Sequence, residues 1–360
     1  MSPTRIVTKD IDASELNELF CKNQKSFYLY IANYAASGNN ANQQDTKPLR
    51  LHQIENLINC IFSPNIHWSF YNAVLDTDIY NTMEQYHHND KDKIIKRILS
   101  LASDYKCPMR VQVKSTAFDT EKLLKRYGFF ELPQTNDAFQ YFDFYHSDNV
   151  LKCDDVKSDV KIYELDDSTQ TDCRMRKFEW GYVLCESFGF RNPEIYGPFY
   201  ADVWSRVEVG PTKPVRMFIA VKNDRVIGGC HVSFANGIAC LFNVTMLKNE
   251  RRKGIGKALS QAAMISAREL NYRYMALQAT SMGATIYKKL GFKSIPSYKT
   301  FVKLATIAWY YKIIEMLLVM FGVQHLQLFI KIIQTLSKNL LVVMIIVMII
   351  VGICIAIMFK

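Results

Sequence analysis

The amino-acid sequence predicts an α/β fold that is present twice in tandem and is followed by a transmembrane helix. Residues 160–304 alternate between strand-like and helix-like patterns, and they contain a short motif that also occurs near residue 125. Residues 340–359 form an apolar run without a charge. These observations divide the chain into residues 1–148, a linker at 149–159, residues 160–304 and a C-terminal segment.

Composition narrows the classes of function. The chain has 360 residues and a formal net charge of +10, which suits nucleic acid, anionic lipid or a phosphorylated cofactor. It has no arginine-rich tail and no basic–aromatic repeat, so no nucleic-acid partner is expected. The nine cysteines include no Cys-x-x-Cys pair, and the adjacent His87 and His88 are interpreted as solvated loop residues, so no metal is expected. This cysteine usage favours a reducing compartment, and the N-terminus lacks the apolar core of a signal peptide.

The first half has its own pattern of helices and strands. Apolar residues at a 3.6-residue period predict a helix over residues 13–35, and the polar stretch at 35–48 predicts a surface loop. The later predictions are a strand with a turn at 64–75, a helix at 90–102, a strand at 109–113, a helix at 120–127 that ends at Gly128, and a strand at 139–144.

A seven-residue motif relates the two halves. Residues 123–129 (LLKRYGF) match residues 286–292 (IYKKLGF) in type and spacing, and both close a short helix before a strand. The match predicts that residues 1–148 are a second copy of the fold, although short helices often end in glycine and a hydrophobic residue by coincidence. Leu124 stands where the second copy has Tyr287, and the glycine-rich loop described below is missing. The first copy is therefore expected to be degenerate, and to shape the substrate cleft or stabilise the other half.

The second half follows a polar linker and alternates more regularly. A helix is predicted at 173–188, and the stretch at 189–209 is irregular and aromatic. The apolar face of the helix is assigned to Met175, Phe178, Tyr182, Val183 and Cys185. The other predictions are strands at 160–165, 215–221 and 225–234, a central strand after the Asn236-Gly237 turn, a helix to residue 270, a strand at 272–278, a helix at 279–290 and a closing strand at 298–303.

Residues 240–259 predict a strand, a tight basic loop and a helix, which together form an anion site. A helix N-terminus presents unpaired N–H groups and a partial positive charge. Gly254 and Gly256 let the backbone turn and approach a ligand, and phosphate is the anion that fits best. Short glycine motifs alone are weak evidence, because turns use glycine for ordinary reasons. The full charges around the site come from Arg251, Arg252, Lys253 and Lys257.

Two motifs resemble one known family. Arg251-x-x-Gly254-x-Gly256 resembles the R/Q-x-x-G-x-G/A pyrophosphate loop of the GNAT (GCN5-related N-acetyltransferase) superfamily, and residues 286–292 resemble its L-Y-x-K-L-G-F signature. The predicted βαβββαβαβ order of residues 160–304 is also that of a GNAT domain. The resemblance is strong only in the last part of this range. It implies a mixed, mostly antiparallel twisted sheet flanked by helices, and the repeated motif predicts two tandem copies of it.

The resemblance implies acetyl-CoA as co-substrate and direct transfer of the acetyl group to a primary amine. In the family the fourth strand carries a bulge and splays from the fifth, so Val244, Thr245 and Met246 are expected to bind the pantetheine through their backbone. A backbone N–H at the bulge is expected to face the oxyanion. The loop from Arg251 through Ile255 to Lys257 is expected to hold the pyrophosphate. Many members carry asparagine where this chain has Thr280 or Ser281.

Tyr287 is the candidate general acid. A phenol can protonate the departing thiolate, although Tyr287 can also simply pack on the cofactor. No general base is identified by a motif, and a water relay stays open. Cys240 suggests an acyl-enzyme, but a small buried residue in a strand is the favoured interpretation. The residues that qualify as a base by location alone are His231, Glu208, Asp202 and Asn243.

The C-terminal segment predicts a membrane anchor. At 1.5 Å per residue, the 20 apolar residues at 340–359 span roughly 30 Å, the thickness of the hydrocarbon core. Residues 339–360 are therefore expected to be a single-pass tail anchor with the catalytic domain facing the cytosol, in keeping with Lys331 and Lys338 before the span. Residues 305–338 are expected to form an interfacial amphipathic helix, with a second span as the alternative.

Two functions compete at this point. The leading one is a membrane-tethered N-acetyltransferase whose acceptor, a small molecule or a protein amine, is unknown. The alternative is a catalytically degenerate acyl-CoA-binding or interaction module on a membrane. The intact loop and Tyr287 favour the enzyme, whereas the missing base and the altered Thr280-Ser281 region keep the alternative open.

Overall fold

The computed structural model describes ten stretches of the chain, and most of the predicted linker and all of the predicted membrane segment lie outside them. The described residues are 6–36, 49–55, 58–64, 71–75, 88–113, 117–132, 138–147, 159–190, 193–295 and 298–304. Within these stretches no helix is long and apolar enough to cross a membrane. Not among them are residues 37–48 of the loop predicted at 35–48, the predicted interfacial helix at 305–338 and the predicted tail anchor at 339–360, whereas residues 35 and 36 of that loop belong to the first helix.

The elements before the linker largely follow the predictions. They are α1 (Ala13–Ala36), β1 (Arg50–Ile54), β2 (Ile58–Phe62), β3 (Ala73–Val74), α2 (His88–Asp104), β4 (Met109–Val113), α3 (Phe118–Arg126), β5 (Phe130–Glu131) and β6 (Phe139–Asp143). The helix at 13–35 and the strand at 109–113 are confirmed. The hairpin of β1 and β2 was not predicted, and His88 begins α2 instead of lying in a loop.

The elements after the linker confirm the alternating pattern. They are β7 (Val160–Leu165), α4 (Cys173–Ser187), α5 (Pro193–Arg206), β8 (Val215–Lys222), β9 (Arg225–Ala235), β10 (Ile238–Met246), α6 (Ile255–Glu269), β11 (Tyr274–Gln278), α7 (Ser281–Lys289), β12 (Lys293–Ser294) and β13 (Lys299–Lys303). The prediction of an irregular stretch at 189–209 was wrong, because α5 occupies most of it.

The strands form two mixed sheets, and each sheet contains one strand from the other half of the chain. The first sheet has the order β1-β2-β3-β4-β13-β5, and the second has the order β12-β6-β11-β10-β9-β8-β7. Strand β13 pairs antiparallel with β4, and β6 pairs antiparallel with β11. The prediction that residues 298–303 close the second half was therefore wrong. The two sheets with their helices confirm the α/β class.

Equivalent elements occupy equivalent places in the two sheets. The parallel pair β3–β4 in the first sheet corresponds to the parallel pair β10–β11 in the second. Helices α3 and α7 follow β4 and β11, and each is followed by a glycine with positive φ, Gly128 at 78° and Gly291 at 97°. The seven-residue motif thus marks corresponding positions of two similar units, as the repeat predicted.

Both faces of the second sheet are covered. Along β8, Met217 and Ile219 pack with α1, α4 and α5, whereas Phe218 and Ala220 pack with α6, because successive side chains of a strand point to opposite faces. Helix α1 reaches this sheet from the first half. The Nδ2 group of its buried Asn23 donates to the carbonyl oxygens of Ser233, Ala235 and Ile238 at 3.1, 2.9 and 3.0 Å.

The predicted apolar face of α4 was partly wrong. Val183 and Cys185 are buried, whereas the side chains of the other three members are exposed by 42–50%. The packed face includes Lys177 instead, whose ammonium group bonds both carboxylate oxygens of Asp167 at 2.8 and 2.7 Å and the Val207 carbonyl at 2.6 Å. These acceptors offset the cost of burying the lysine charge. A prediction from hydrophobicity alone would not place a charged residue on the packed face of the helix. The three exposed members are Met175, Phe178 and Tyr182.

Candidate functional site

Strand β10 separates from β11 halfway along its length. Parallel pairing stops at the pair Leu241 and Leu277, whereas β10 continues to Met246. On its other side, the register with β9 shifts between Phe242 and Thr245, so that two residues of β10 face one of β9. Such a β-bulge bends a strand and interrupts its ladder. We call the resulting space between residues 242–246 and the end of β11 the gap.

Asn243 forms the bend of the bulge. It is half-buried and its φ is 51°, in the left-handed region that most side chains avoid. Asparagine tolerates this region better than other residues with a Cβ atom, since its short amide can bond locally. The bulge that the family resemblance implied is therefore present, and it lies at Asn243 and Val244.

The N-terminus of α6 lies at the end of β10. Gly254, with φ of 84°, precedes the helix, and no side chain caps the first turn. The first bond of the helix runs from the Ala258 N–H to the Gly254 carbonyl at 3.0 Å. Helix geometry therefore directs the N–H groups of residues 255–257 outward at this end, as an anion site requires.

Gly256 brings this helix end against β10. A Cβ atom at position 256 would lie 2.5 Å from the Met246 Cε and 4.0 Å from a Val244 methyl. Ile255 beside it is buried in the core. By contrast, a Cβ atom at position 254 would contact nothing within 4 Å, so Gly254 is required by its backbone angle.

The four basic residues of the loop do different things. Arg251 donates from Nη2 to the Ser187 carbonyl at the end of α4 at 2.7 Å, which anchors the loop. Lys253 pairs with the Glu250 carboxylate at 2.9 Å. Arg252 is exposed, and Lys257 is half-buried on the first turn of α6. All four lie around one loop, as predicted, but Arg251 also holds the loop to α4, and Lys253 bonds Glu250 within the loop.

Ser187 is a residue of the site that the sequence did not reveal. Its hydroxyl oxygen accepts a hydrogen bond from the Met246 N–H at 3.3 Å, and its carbonyl binds Arg251. It thus touches two predicted cofactor residues. No motif marks a serine at the end of a helix, so only the fold identifies it. Thr245 points away from this contact: it is buried, its hydroxyl donates to the Gly229 carbonyl at 3.3 Å, and its backbone is paired with Gly229 of β9, so of the three predicted strand residues Val244 and Met246 are the ones that can face a ligand.

Tyr287 lies on α7 beside α6. Its side chain is 9% exposed and belongs to the buried cluster that contains Ile255 and Leu259. Burial raises the pKa of its phenol above the ordinary value, the Cys230 thiol adds to the rise, and a hydrogen bond with Ser260 opposes it. A phenol with a raised pKa keeps its proton at neutral pH, which is the state a general acid needs.

Thr280 and Ser281 lie between β11 and α7. The Thr280 hydroxyl accepts the Gly283 N–H at 3.2 Å and caps α7, so this side chain has a structural role. Ser281 is the first residue of α7 and is exposed. Gly283 also leaves room for the acid, since a Cβ atom there would lie 3.1 Å from the Tyr287 ring.

The environment of His231 does not suit a general base. The residue is fully buried, and burial lowers its pKa to about 3. Its ring stacks on Phe27 with centroids 4.6 Å apart and lies 4.7 Å from the Trp204 ring. Neither ring nitrogen has a hydrogen-bond partner within the described part of the chain. It is therefore a neutral core residue at neutral pH.

The two acidic candidates are occupied by cations. The Glu208 carboxylate accepts from Lys213 and from the Tyr34 hydroxyl, and these bonds lower the pKa of the carboxyl. Asp202 accepts from the Arg206 guanidinium at 3.0 and 2.8 Å. Cys240 is fully buried, and burial raises the pKa of its thiol, which favours the structural interpretation over an acyl-enzyme. Because of their burial or their ion pairs, none of these groups has the environment expected of a general base beside the gap.

The first half contributes residues next to the gap. The Gln112 amide of β4 donates to Gln278, the last residue of β11, at 3.4 Å. The Gln140 amide of β6 donates to the Ala284 carbonyl of α7 at 3.3 Å. These contacts fit the expectation that the first half shapes or stabilises the cleft of the second.

Comparison with known proteins gives a match between part of this chain and one family model. Residues 213–294 match the model of the acetyltransferase (GNAT) domain, and this range contains the gap, the loop and Tyr287. No curated protein sequence matches the chain.

Three solved structures are similar at low sequence identity. A GCN5-related N-acetyltransferase from Kribbella flavida is 10% identical, with 79% of this chain and 95% of that chain covered and a TM-score of 0.48. A tandem GNAT protein from the clavulanic acid biosynthesis pathway is 11% identical, with 82% and 97% covered and a TM-score of 0.49. A GCN5-related N-acetyltransferase from Sphaerobacter thermophilus is 12% identical, with 71% and 76% covered and a TM-score of 0.42.

Proposed function

We propose that the protein is an acetyl-CoA-dependent N-acetyltransferase that transfers the acetyl group directly to a primary amine. The observation that carries the proposal is the convergence of three features: the bulged end of β10, the uncapped N-terminus of α6 and the protonated phenol of Tyr287. The family match over residues 213–294 supports it. The substrate that suits these features has a phosphate group, an amide-containing arm and a thioester.

Each feature has one task in this reaction. The N–H groups at the start of α6 and the loop cations bind the pyrophosphate. The backbone of Val244 and Met246 aligns the pantetheine, and a backbone N–H at the bulge stabilises the oxyanion that forms when the amine attacks the thioester carbonyl. As the carbon–sulfur bond breaks, Tyr287 gives its proton to the thiolate, and the amine nitrogen loses its proton to water.

A binding assay on the full chain tests the cofactor site. We expect calorimetry to detect acetyl-CoA binding to the wild type and little binding to the Gly254→Glu, Gly256→Glu double variant, whose carboxylates repel the pyrophosphate. The matched control is Lys248→Glu, which also makes the protein more negative but at an exposed position outside the helix end. Equal binding by the wild type and the double variant would contradict the proposal.

A second candidate function is an acyl-CoA-binding or interaction module without catalysis. It is favoured by the ion pairs that occupy Glu208 and Asp202 and by the burial of His231. Both candidates require acetyl-CoA binding, but only the enzyme releases CoA in proportion to added amine. A screen of radiolabelled acetyl transfer to small amines, peptide N-termini, lysine peptides and amine-bearing lipids separates the two and identifies the acceptor class.

We also propose that the predicted domain 160–304, with β6 in place of β13, is catalytic, that residues 1–148, with β13 in place of β6, are a degenerate copy, and that residues 339–360 anchor the protein in a membrane with the domain facing the cytosol. The anchor rests on the uncharged run at 340–359. Expression of the full chain and of a variant that ends at residue 338 tests it. Extraction of the full chain by alkaline carbonate would argue against an integral anchor, and protection of the domain from added protease would argue against the orientation.

A further inference from the structure

We propose that Ser187 is a positioning residue whose hydroxyl competes with acetyl-CoA for the Met246 N–H group. In the unliganded protein this hydrogen bond joins β10, the strand of the cofactor site, to the end of α4. The inference rests on the proposed function, because it requires the pantetheine to lie along β10. It adds a residue that lies outside the motifs of the site and outside the matched range 213–294.

The direction of the Met246 N–H is fixed by the strand. The next residue, Leu247, donates its N–H to the Ile227 carbonyl of β9 at 2.9 Å. Successive N–H groups of an extended strand point to opposite sides, so the Met246 N–H points away from β9. That is the side from which β11 has departed, and the Ser187 hydroxyl lies there.

One N–H group forms one good hydrogen bond at a time. The distance from Met246 N to Ser187 Oγ is 3.3 Å, beyond the usual range for this type of bond. The carbonyl of an amide-containing arm along β10 would use the same N–H and would replace the serine. Ser187 is half-buried at the helix end, so its hydroxyl can rotate and bond water after it is replaced.

The backbone of Ser187 stays attached when its side chain moves. Its carbonyl accepts from the Arg251 guanidinium at 2.7 Å, at the C-terminal end of α4, where a cation is favourable. The loop and α4 therefore remain joined while the hydroxyl is exchanged. Phe190, which follows α4, stacks on Tyr200 of α5 with ring centroids 5.3 Å apart. The exchange of hydrogen bonds therefore takes place where β10 meets the α4–α5 pair.

The test is the affinity of the full chain for two ligands. In Ser187→Ala the unliganded protein loses a bond that the complex does not have, so acetyl-CoA should bind about twofold to tenfold more tightly by calorimetry. Adenosine 3′-phosphate 5′-diphosphate has no pantetheine and does not reach Met246, so its affinity should not change. Ser187→Thr keeps the hydroxyl and should resemble the wild type.

The control is Ser205→Ala on α5, whose hydroxyl bonds the Asp202 carbonyl at 2.9 Å and does not contact β10. Unchanged or weaker acetyl-CoA binding in Ser187→Ala would overturn the inference, and so would an equal change for the nucleotide, which indicates a general distortion. In both cases the proposed function stands as long as the wild type binds acetyl-CoA. A wild type that binds neither ligand overturns the proposed function and this inference together.

Discussion

Gly256 lies so close to Met246 that a Cβ atom at position 256 would stand 2.5 Å from the methionine Cε. In Gly256→Ala the methionine side chain must move, and Met246 belongs to the strand that is proposed to bind the pantetheine. Overpacking costs about 1–3 kcal/mol, and the lower end applies because Cε terminates a flexible side chain. We expect the KM for acetyl-CoA to rise roughly fivefold with little change in kcat, as measured by steady-state kinetics. An unchanged KM would contradict this role.

Gly254 should respond differently because its constraint is the backbone. Its φ is 84° and a Cβ atom there would meet open space, so Gly254→Ala should lower the free energy of unfolding by about 1–2 kcal/mol through conformational strain alone. Asparagine tolerates this conformation, so Gly254→Asn should lose less. Denaturant titration of the two variants without ligand measures the difference, and equal losses would be evidence against strain as the cause.

Tyr287→Phe isolates the phenol hydroxyl. The ring remains to fill the cluster, so the melting temperature should change little, while kcat should fall about 100-fold if the hydroxyl is the general acid. Because burial raises the pKa of Tyr287, the phenol stays protonated from neutral pH to about pH 10 and should cause no loss of activity in that range. The pH profile of kcat tests this. A loss of less than threefold in Tyr287→Phe would favour a packing role.

The parts of the fold that the sequence predicted are those with local signals. Paired turns with positive φ mark the hairpins of the second half: Asn223 and Asp224 join β8 to β9, and Asn236 and Gly237 join β9 to β10. The loop at Gly254 is equally local, since glycine is needed for its backbone angle. These features do not depend on distant parts of the chain.

The parts that were missed depend on distant contacts. Tyr196, Tyr200 and Trp204 recur every four residues and form one face of α5, but Gly197 and Pro198 within the helix hid the pattern. The exchange of β6 and β13 has no local signal, because the residue types of each strand are compatible with pairing in either sheet. Ser187 was missed for the same reason, since its partners Met246 and Arg251 are about 60 residues away in the chain.

His231 should make the stability of the protein depend on pH. Its pKa is about 3 in the folded state and near 6.5 when the chain is unfolded, so the unfolded state binds the extra proton between these values. The contribution of neutral His231 is complete above pH 6.5 and is lost as pH falls, by up to about 1.4 kcal/mol per pH unit.

The measurement is urea unfolding between pH 7 and 5. We expect the wild type to lose more stability over this range than His231→Phe, which keeps an aromatic ring against Phe27 and Trp204. His146→Asn is the control, because His146 is exposed and bonds Asp143 at the surface. Equal slopes for the wild type and His231→Phe would show that the histidine does not titrate as its burial implies.

The strand exchange predicts that the halves stay together when the linker is cut. Strand β13 places the fully buried Phe301 in the core of the first half, and β6 places the buried Phe142 in that of the second. Removal of one such ring from its core costs about 1.5–3 kcal/mol, in addition to the lost ladder of backbone bonds. With a protease site inserted at 149–158, the two fragments should co-elute in size exclusion after cleavage and separate only in denaturant. Cleaved Phe301→Ala should separate at a lower denaturant concentration, whereas separation of the unsubstituted fragments in native buffer would contradict the observed pairing.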